Sequence, residues 1–153
     1  MLETPVVTVS TYLQTAVIRL NVPRSEIQKV MGPAIGELMS TLAVQGIAAA
    51  GPIFSHHFRM DPEVFDFEIG VAVATAVTPS GRVEGSHLPA IKVARTVYCG
   101  PHEGLGKAWG QFGTWIKEQG LKTQDNLWEF YVADPESSLN PDEARTELNR
   151  PLA

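Results

Sequence analysis

The sequence contains one cysteine, Cys99, among 153 residues. A lone cysteine cannot close a disulfide within the chain, and it reads as a small core side chain in a reducing compartment. A nucleophilic thiol would need a basic neighbour, which the sequence alone does not establish. Positive charge is scarce: 12 Lys and Arg stand against 17 Asp and Glu, a net charge of −5. Such a chain is a poor non-specific binder of DNA or anionic lipid. No basic-then-apolar stretch opens the chain, so no secretory signal is expected. The most apolar stretch, Leu42 to Phe54, is broken by Gln45, Gly46, Gly51 and Pro52 and followed by His56 and His57. It is too short and too interrupted to span a bilayer. The spacings GxGxxG, GxxxxGK and GxSxG are missing, which removes the common phosphate-binding and nucleophile-elbow readings. The expectation is a soluble, cytoplasmic chain with no cofactor.

What remains is a composition that folds. Hydrophobic residues make up 44% and charged residues 19%, which excludes a disordered tail. A chain of this length buries roughly 70% of its unfolded surface in one core. Eleven Pro and 13 Gly point to many turns and short elements. Val6 to Leu20 is rich in β-branched residues and is expected as a strand, with Asn21 to Ser25 as a turn. Ile27, Met31, Ile35, Leu38 and Leu42 recur at helical spacing. Pro33 predicts a kink, or a main helix from Pro33 to Val44, and Gly46 is the stop. Gly51-Pro52 opens a strand through Phe58, Met60-Asp61-Pro62 turns, and Val64 to Val77 is a second strand ending at the turn Pro79-Ser80-Gly81.

The second half repeats the β-α-β-β order. His87 to Tyr98 is expected as a strand, and Gly100-Pro101 as the turn into a helix that runs to about Gln119. Gly120 stops that helix. Leu127 to Ala133 and Ala144 to Leu152 are strands around a loop at Asp134 to Asp142. At an offset of 74, Met31, Ile35, Leu38, Leu42 and Gly46 fall on Leu105, Trp109, Phe112, Ile116 and Gly120. His57 falls on Tyr131. The expectation is one domain over 1–153 with internal repeats at about 6–77 and 83–152. A duplicated unit packs about a pseudo-twofold axis, and the groove on that axis is a natural ligand site.

All three Trp (Trp109, Trp115, Trp128) and two of three Tyr (Tyr98, Tyr131) follow residue 97. Most such aromatics serve the core. Glu129 is different, because it lies inside a strand between Trp128 and Phe130. Alternation puts Leu127, Glu129, Tyr131 and Ala133 on one face and Trp128, Phe130 and Val132 on the other. The second face reads as the packed one. If helices cover the first, a carboxylate points into a partly apolar space, which is costly unless it has a task. It could meet a cationic or hydrogen-bonding ligand, or act in acid/base catalysis. The competing reading is an edge-strand glutamate in water or paired with Arg or Lys. His56 and His57 point to opposite faces of a strand and cannot chelate one ion, so no metal site is expected.

Tyr98-Cys99-Gly100-Pro101, Trp109, Gly120, Trp128-Glu129-Phe130-Tyr131 with Asp134-Pro135, and Thr146-Glu147-Leu148 with Pro151 resemble the GyrI-like small-molecule-binding domains. These are effector-binding domains of multidrug-responsive and AraC-type transcription regulators, and they also occur as stand-alone proteins. Val17 to Arg19, Gly51-Pro52 and Phe65 to Gly70 are similar too, so the resemblance runs from about Val6 to Leu152. His102 departs from the aromatic usual after Gly-Pro.

The resemblance implies an α+β fold of duplicated β-α-β-β units with pseudo-twofold symmetry. An antiparallel sheet and two long helices would flank a central groove. It makes Glu129 the central acid of that groove, with Tyr131, Trp109, Tyr98 and Phe67 as ligand-binding neighbours, and the repeat alignment adds His57, the counterpart of Tyr131, to the same cavity. The leading expectation is a stand-alone binder of small apolar, cationic or neutral molecules. The alternative is a hydrolase of electrophilic small toxins, with Glu129 and Tyr131 catalytic. A third reading is a DNA-gyrase-inhibitor-like interaction protein. The partners expected are a small hydrophobic or cationic ligand and, among proteins, a regulator, gyrase or a second copy of the chain. Neither nucleic acid nor membrane is an expected direct partner.

Overall fold

The computed structural model describes residues 2–60, 63–133 and 145–153. In chain order the elements are β1 (Val6–Val9), β2 (Leu13–Pro23), α1 (Ile27–Gln45), β3 (Ala49–Met60), β4 (Val64–Val73), β5 (Val83–Leu88), β6 (Lys92–Cys99), α2 (Leu105–Glu118), β7 (Leu127–Ala133) and β8 (Arg145–Pro151). The fold is α+β, with antiparallel strand pairing throughout the described ladders. The chain divides into two compact units. One is Thr11–Ala90, and the other joins Met1–Ser10 to Ile91–Ala153.

In the unit Thr11–Ala90, β4 lies between β3 and β2, and β5 pairs with the far side of β2. The apolar face of α1 packs on this sheet. Ala34, Leu38 and Leu42 are buried with Ile18 and Leu20 of β2 and Phe67, Ile69 and Val71 of β4. The spacing-based helix is correct in its face, and of its two expected extents the longer one forms. Helix α1 begins at Ile27 and runs through Pro33 without a break. The proline removes one backbone donor. The residue before it is Gly32, which has no Cβ to meet the pyrrolidine ring. Gly46 ends the helix in the left-handed region, with φ 68°. The Ile47 N–H then donates to the Leu42 carbonyl at 2.9 Å, a Schellman closure.

The second unit has the same plan. Here β8 lies between β7 and β6, and β1 pairs with the far side of β6. Ala108, Phe112 and Ile116 of α2 are buried with Ala94 and Tyr98 of β6 and Leu148 of β8. Gly120 repeats the φ of 68°, and the Leu121 N–H donates to the Ile116 carbonyl at 3.2 Å. Each unit is thus β-α-β-β with one further strand beside the first.

Several expected boundaries change. Val6 to Leu20 is not one strand but two, β1 and β2, and these belong to different units. The Ser10 hydroxyl donates to the Ile91 carbonyl at 3.1 Å and accepts from the Ile91 N–H at 3.0 Å, which fixes the break. The expected turn at Asn21 to Ser25 starts later, because Asn21, Val22 and Pro23 extend β2 opposite Asp66, Phe65 and Val64. His87 to Tyr98 also divides, into β5 and β6, around Pro89, which has no N–H for a ladder. Gly51-Pro52 lies inside β3, at a register shift, rather than at its start. Strand β4 stops at Val73, short of Val77. Leu127 to Ala133 is a strand as expected. The expected turn at Asp61-Pro62 and the loop at Asp134 to Asp142 lie outside the described residues.

Candidate ligand-binding site

Strand β7 puts Glu129 opposite Leu148 and Tyr131 opposite Thr146. Cross-strand partners share a face, and Leu148 belongs to the core beneath α2. Glu129 therefore lies on the helix-covered face, the face that alternation assigned to it. Trp128 and Asn149, on the opposite face, are also buried. The expected packed side does not hold along the whole strand, since Val132 is 55% exposed.

Only 8% of Glu129 is exposed. The indole Nε1–H of Trp109 donates to Glu129 Oε1 at 2.6 Å. The Tyr131 hydroxyl donates to Glu129 Oε2 at 3.0 Å. Each carboxylate oxygen thus has a neutral aromatic donor, one from α2 and one from β7 itself. Trp109 is in turn set against Phe112, with ring centroids 5.7 Å apart. Trp109 and Tyr131 are each half-buried, so the three side chains form an acid within an aromatic rim. Hydrogen bonds to the ionised form stabilise a buried carboxylate.

The other named residues are placed differently. The ring of Tyr98 is in the core beneath α2, and its hydroxyl donates to the Pro101 carbonyl at 2.9 Å. Phe67 is fully buried in the core beneath α1. His57 stacks on Phe67 at 5.0 Å and meets Phe65 edge-on at 5.4 Å. Arg24 lies over the Phe65 ring at 4.3 Å. Burial, reinforced by His56 and Arg24, lowers the His57 pKa to about 4. Burial and then Arg19 lower His56 to about 4 as well. Both imidazoles are neutral at pH 7. His56 is opposite Glu68 and His57 opposite Phe67, so the adjacent histidines occupy opposite faces.

Two polar clusters had no clear signal in the sequence. Asp66 accepts from Arg19 at 2.7 Å and pairs with Arg59 at 3.5 Å. Arg95 pairs with Glu147 at 3.2 Å and donates to Asn149 Oδ1 at 2.7 Å. The Arg19–Asp66 and Arg95–Glu147 pairs join strands about 50 residues apart in sequence, and no spacing rule shows them.

Residues 11–153 match the sequence family described as the GyrI-like small molecule binding domain. The chain belongs to that family and is a small-molecule-binding domain by class. No curated protein matches the sequence. Among solved structures, EcmrR in a DNA complex is similar with TM-score 0.85 and 20% identity, over 97% of this chain and 57% of that one. This chain thus spans little more than half the length of EcmrR. The EcmrR C-terminal domain matches with TM-score 0.85 and 19% identity over 98% of this chain and 97% of its own. SAV2435 bound to tetraphenylphosphonium matches with TM-score 0.66 and 11% identity, over 99% and 94%. A hydrolase from Listeria innocua matches with TM-score 0.65 and 13% identity, over 97% and 91%. At these identities the likeness is one of fold. Among the described residues no helix is long and apolar enough to cross a membrane.

Proposed function

We propose that the chain binds small lipophilic cations, with Glu129 as the charge-complementary group. The observation that carries this reading is a carboxylate only 8% exposed whose two oxygens are held by the Trp109 and Tyr131 donors. An acid kept in an apolar, aromatic setting offers strong attraction to a cation that brings little hydration with it. The neighbour SAV2435 was solved with tetraphenylphosphonium, a cation of that kind. Titration of the full chain with tetraphenylphosphonium should give saturable binding, and Glu129→Gln should weaken it at least tenfold while the fold melts as before. Equal affinity in the variant would remove the charge role.

A second reading rests on the 3.0 Å pair of Tyr131 and Glu129. In a hydrolase of electrophilic small molecules, the carboxylate would activate water and the phenol would protonate the leaving group. Turnover of epoxide or activated-ester probes should then collapse in Glu129→Gln and fall in Tyr131→Phe. Binding without turnover leaves the first reading in place and removes the second.

A further inference from the structure

We propose that Trp109 is the positioning residue of this site. Its indole N–H fixes the Glu129 carboxylate in the orientation in which it meets a cation. The inference rests on the cation-binding reading above. A glutamate on a strand has three side-chain torsions, and the last is broad. Tyr131, two residues along the same strand, supplies one tether at 3.0 Å. Trp109 supplies the other at 2.6 Å from α2, across the sheet–helix interface of its own unit.

The two tethers differ in chemistry. A phenol can donate or accept, so Tyr131 tolerates either protonation state of the acid. An indole N–H can only donate. Oε1 must therefore present a lone pair to Trp109, which penalises a proton on that oxygen. Trp109 is itself anchored. It packs against the core that contains Ala108, Phe112 and Ile116, and its ring meets Phe112. The indole is more than an aromatic neighbour, because it sets how the acid is displayed.

The test separates positioning from lining. Wild type, Trp109→Phe and Glu129→Gln are titrated with tetraphenylphosphonium and with the neutral triphenylphosphine oxide. Trp109→Phe keeps an aromatic ring and loses the donor. It should lower affinity for the cation about tenfold, the scale of one hydrogen bond to a charged group, and leave the neutral probe within a factor of two. In the 15N-labelled protein, the Trp109 indole N–H resonance should shift in Glu129→Gln while the Trp115 and Trp128 signals stay. Equal loss of both probes in Trp109→Phe would make Trp109 a lining residue and overturn the proposal. So would an indole signal indifferent to Glu129→Gln, a measurement that does not depend on the tryptophan variant folding. If wild type binds no cation, the functional reading fails and the positioning role fails with it. If Glu129→Gln loses the cation but Trp109→Phe does not, only the positioning role fails.

Discussion

At the scale of single residues, Glu129 accepts one hydrogen bond from Trp109 and one from Tyr131. Period-two alternation is enough to place Glu129 and Tyr131 on one face of β7, because the parity of a strand does not depend on what covers it. The hydrogen bond from Trp109 was not legible. It joins a helix to a strand 20 residues later, and no spacing rule encodes that approach. The two histidines show the same limit, since their neutrality follows from burial rather than from neighbours in sequence. A prediction follows from their lowered pKa values. A group whose pKa falls on folding leaves the unfolded chain binding more protons, so stability falls with acidification. The loss begins near 6.5 and is complete near 4. A depression of this size corresponds to about 3 kcal/mol per histidine, less for two neighbours that repel when both are charged. Glu68, raised by burial, works the opposite way and loses stability as pH rises above its ordinary 4.5. Urea midpoints should therefore drop between pH 6.5 and 4, and His56→Gln/His57→Gln should flatten that drop. An unchanged slope would mean that the imidazoles titrate as they do in water.

At the scale of elements, helices were easier to read than strands. The faces and glycine stops of α1 and α2 follow from 3.6-residue periodicity and from the left-handed Gly46 and Gly120. Strand ends were misplaced because β-propensity is continuous along Val6 to Leu20, whereas the pairing partner changes at Ser10. Only tertiary structure holds that information. Within β4, Gly70 illustrates how closely the elements approach. A Cβ there would lie 2.7 Å from Val17 Cγ1 and 2.8 Å from both the Ala16 carbonyl and Phe54 Cζ. One of these neighbours is backbone and cannot rotate away. Gly70→Ala should destabilise the protein by about 1–3 kcal/mol through overpacking, read as a lower urea midpoint. A neutral result would show that Phe54 and β2 yield freely.

At the scale of the whole molecule, the fold and the family are those the sequence motifs indicated. The repeated β-α-β-β order is visible in both units, while the strand beside each first strand differs in origin. It is β5 in one unit, and in the other it is β1, drawn from the opposite end of the chain. Deleting residues 2–9 should therefore destabilise the unit built from Ile91–Ala153, although the deletion lies about 90 residues away in sequence. Hydrogen exchange should quicken in β6 and leave β4 unchanged. Equal effects in β4 and β6 would mean that the strand does not belong to one unit.

The position of β1 also gives the chain an order of assembly. Val6 must find Arg95, so β1 is made before the other strands described here and is among the last to be paired. At roughly 5–20 residues per second of synthesis, Val6–Val9 wait on the order of 5–20 s for β6. The intervening unit Thr11–Ala90 has all its own strands in hand by then, so the order of translation lets it close first. The unit that holds Glu129, Trp109 and Tyr131 is complete only when β1 and the strands β6 to β8 are all present.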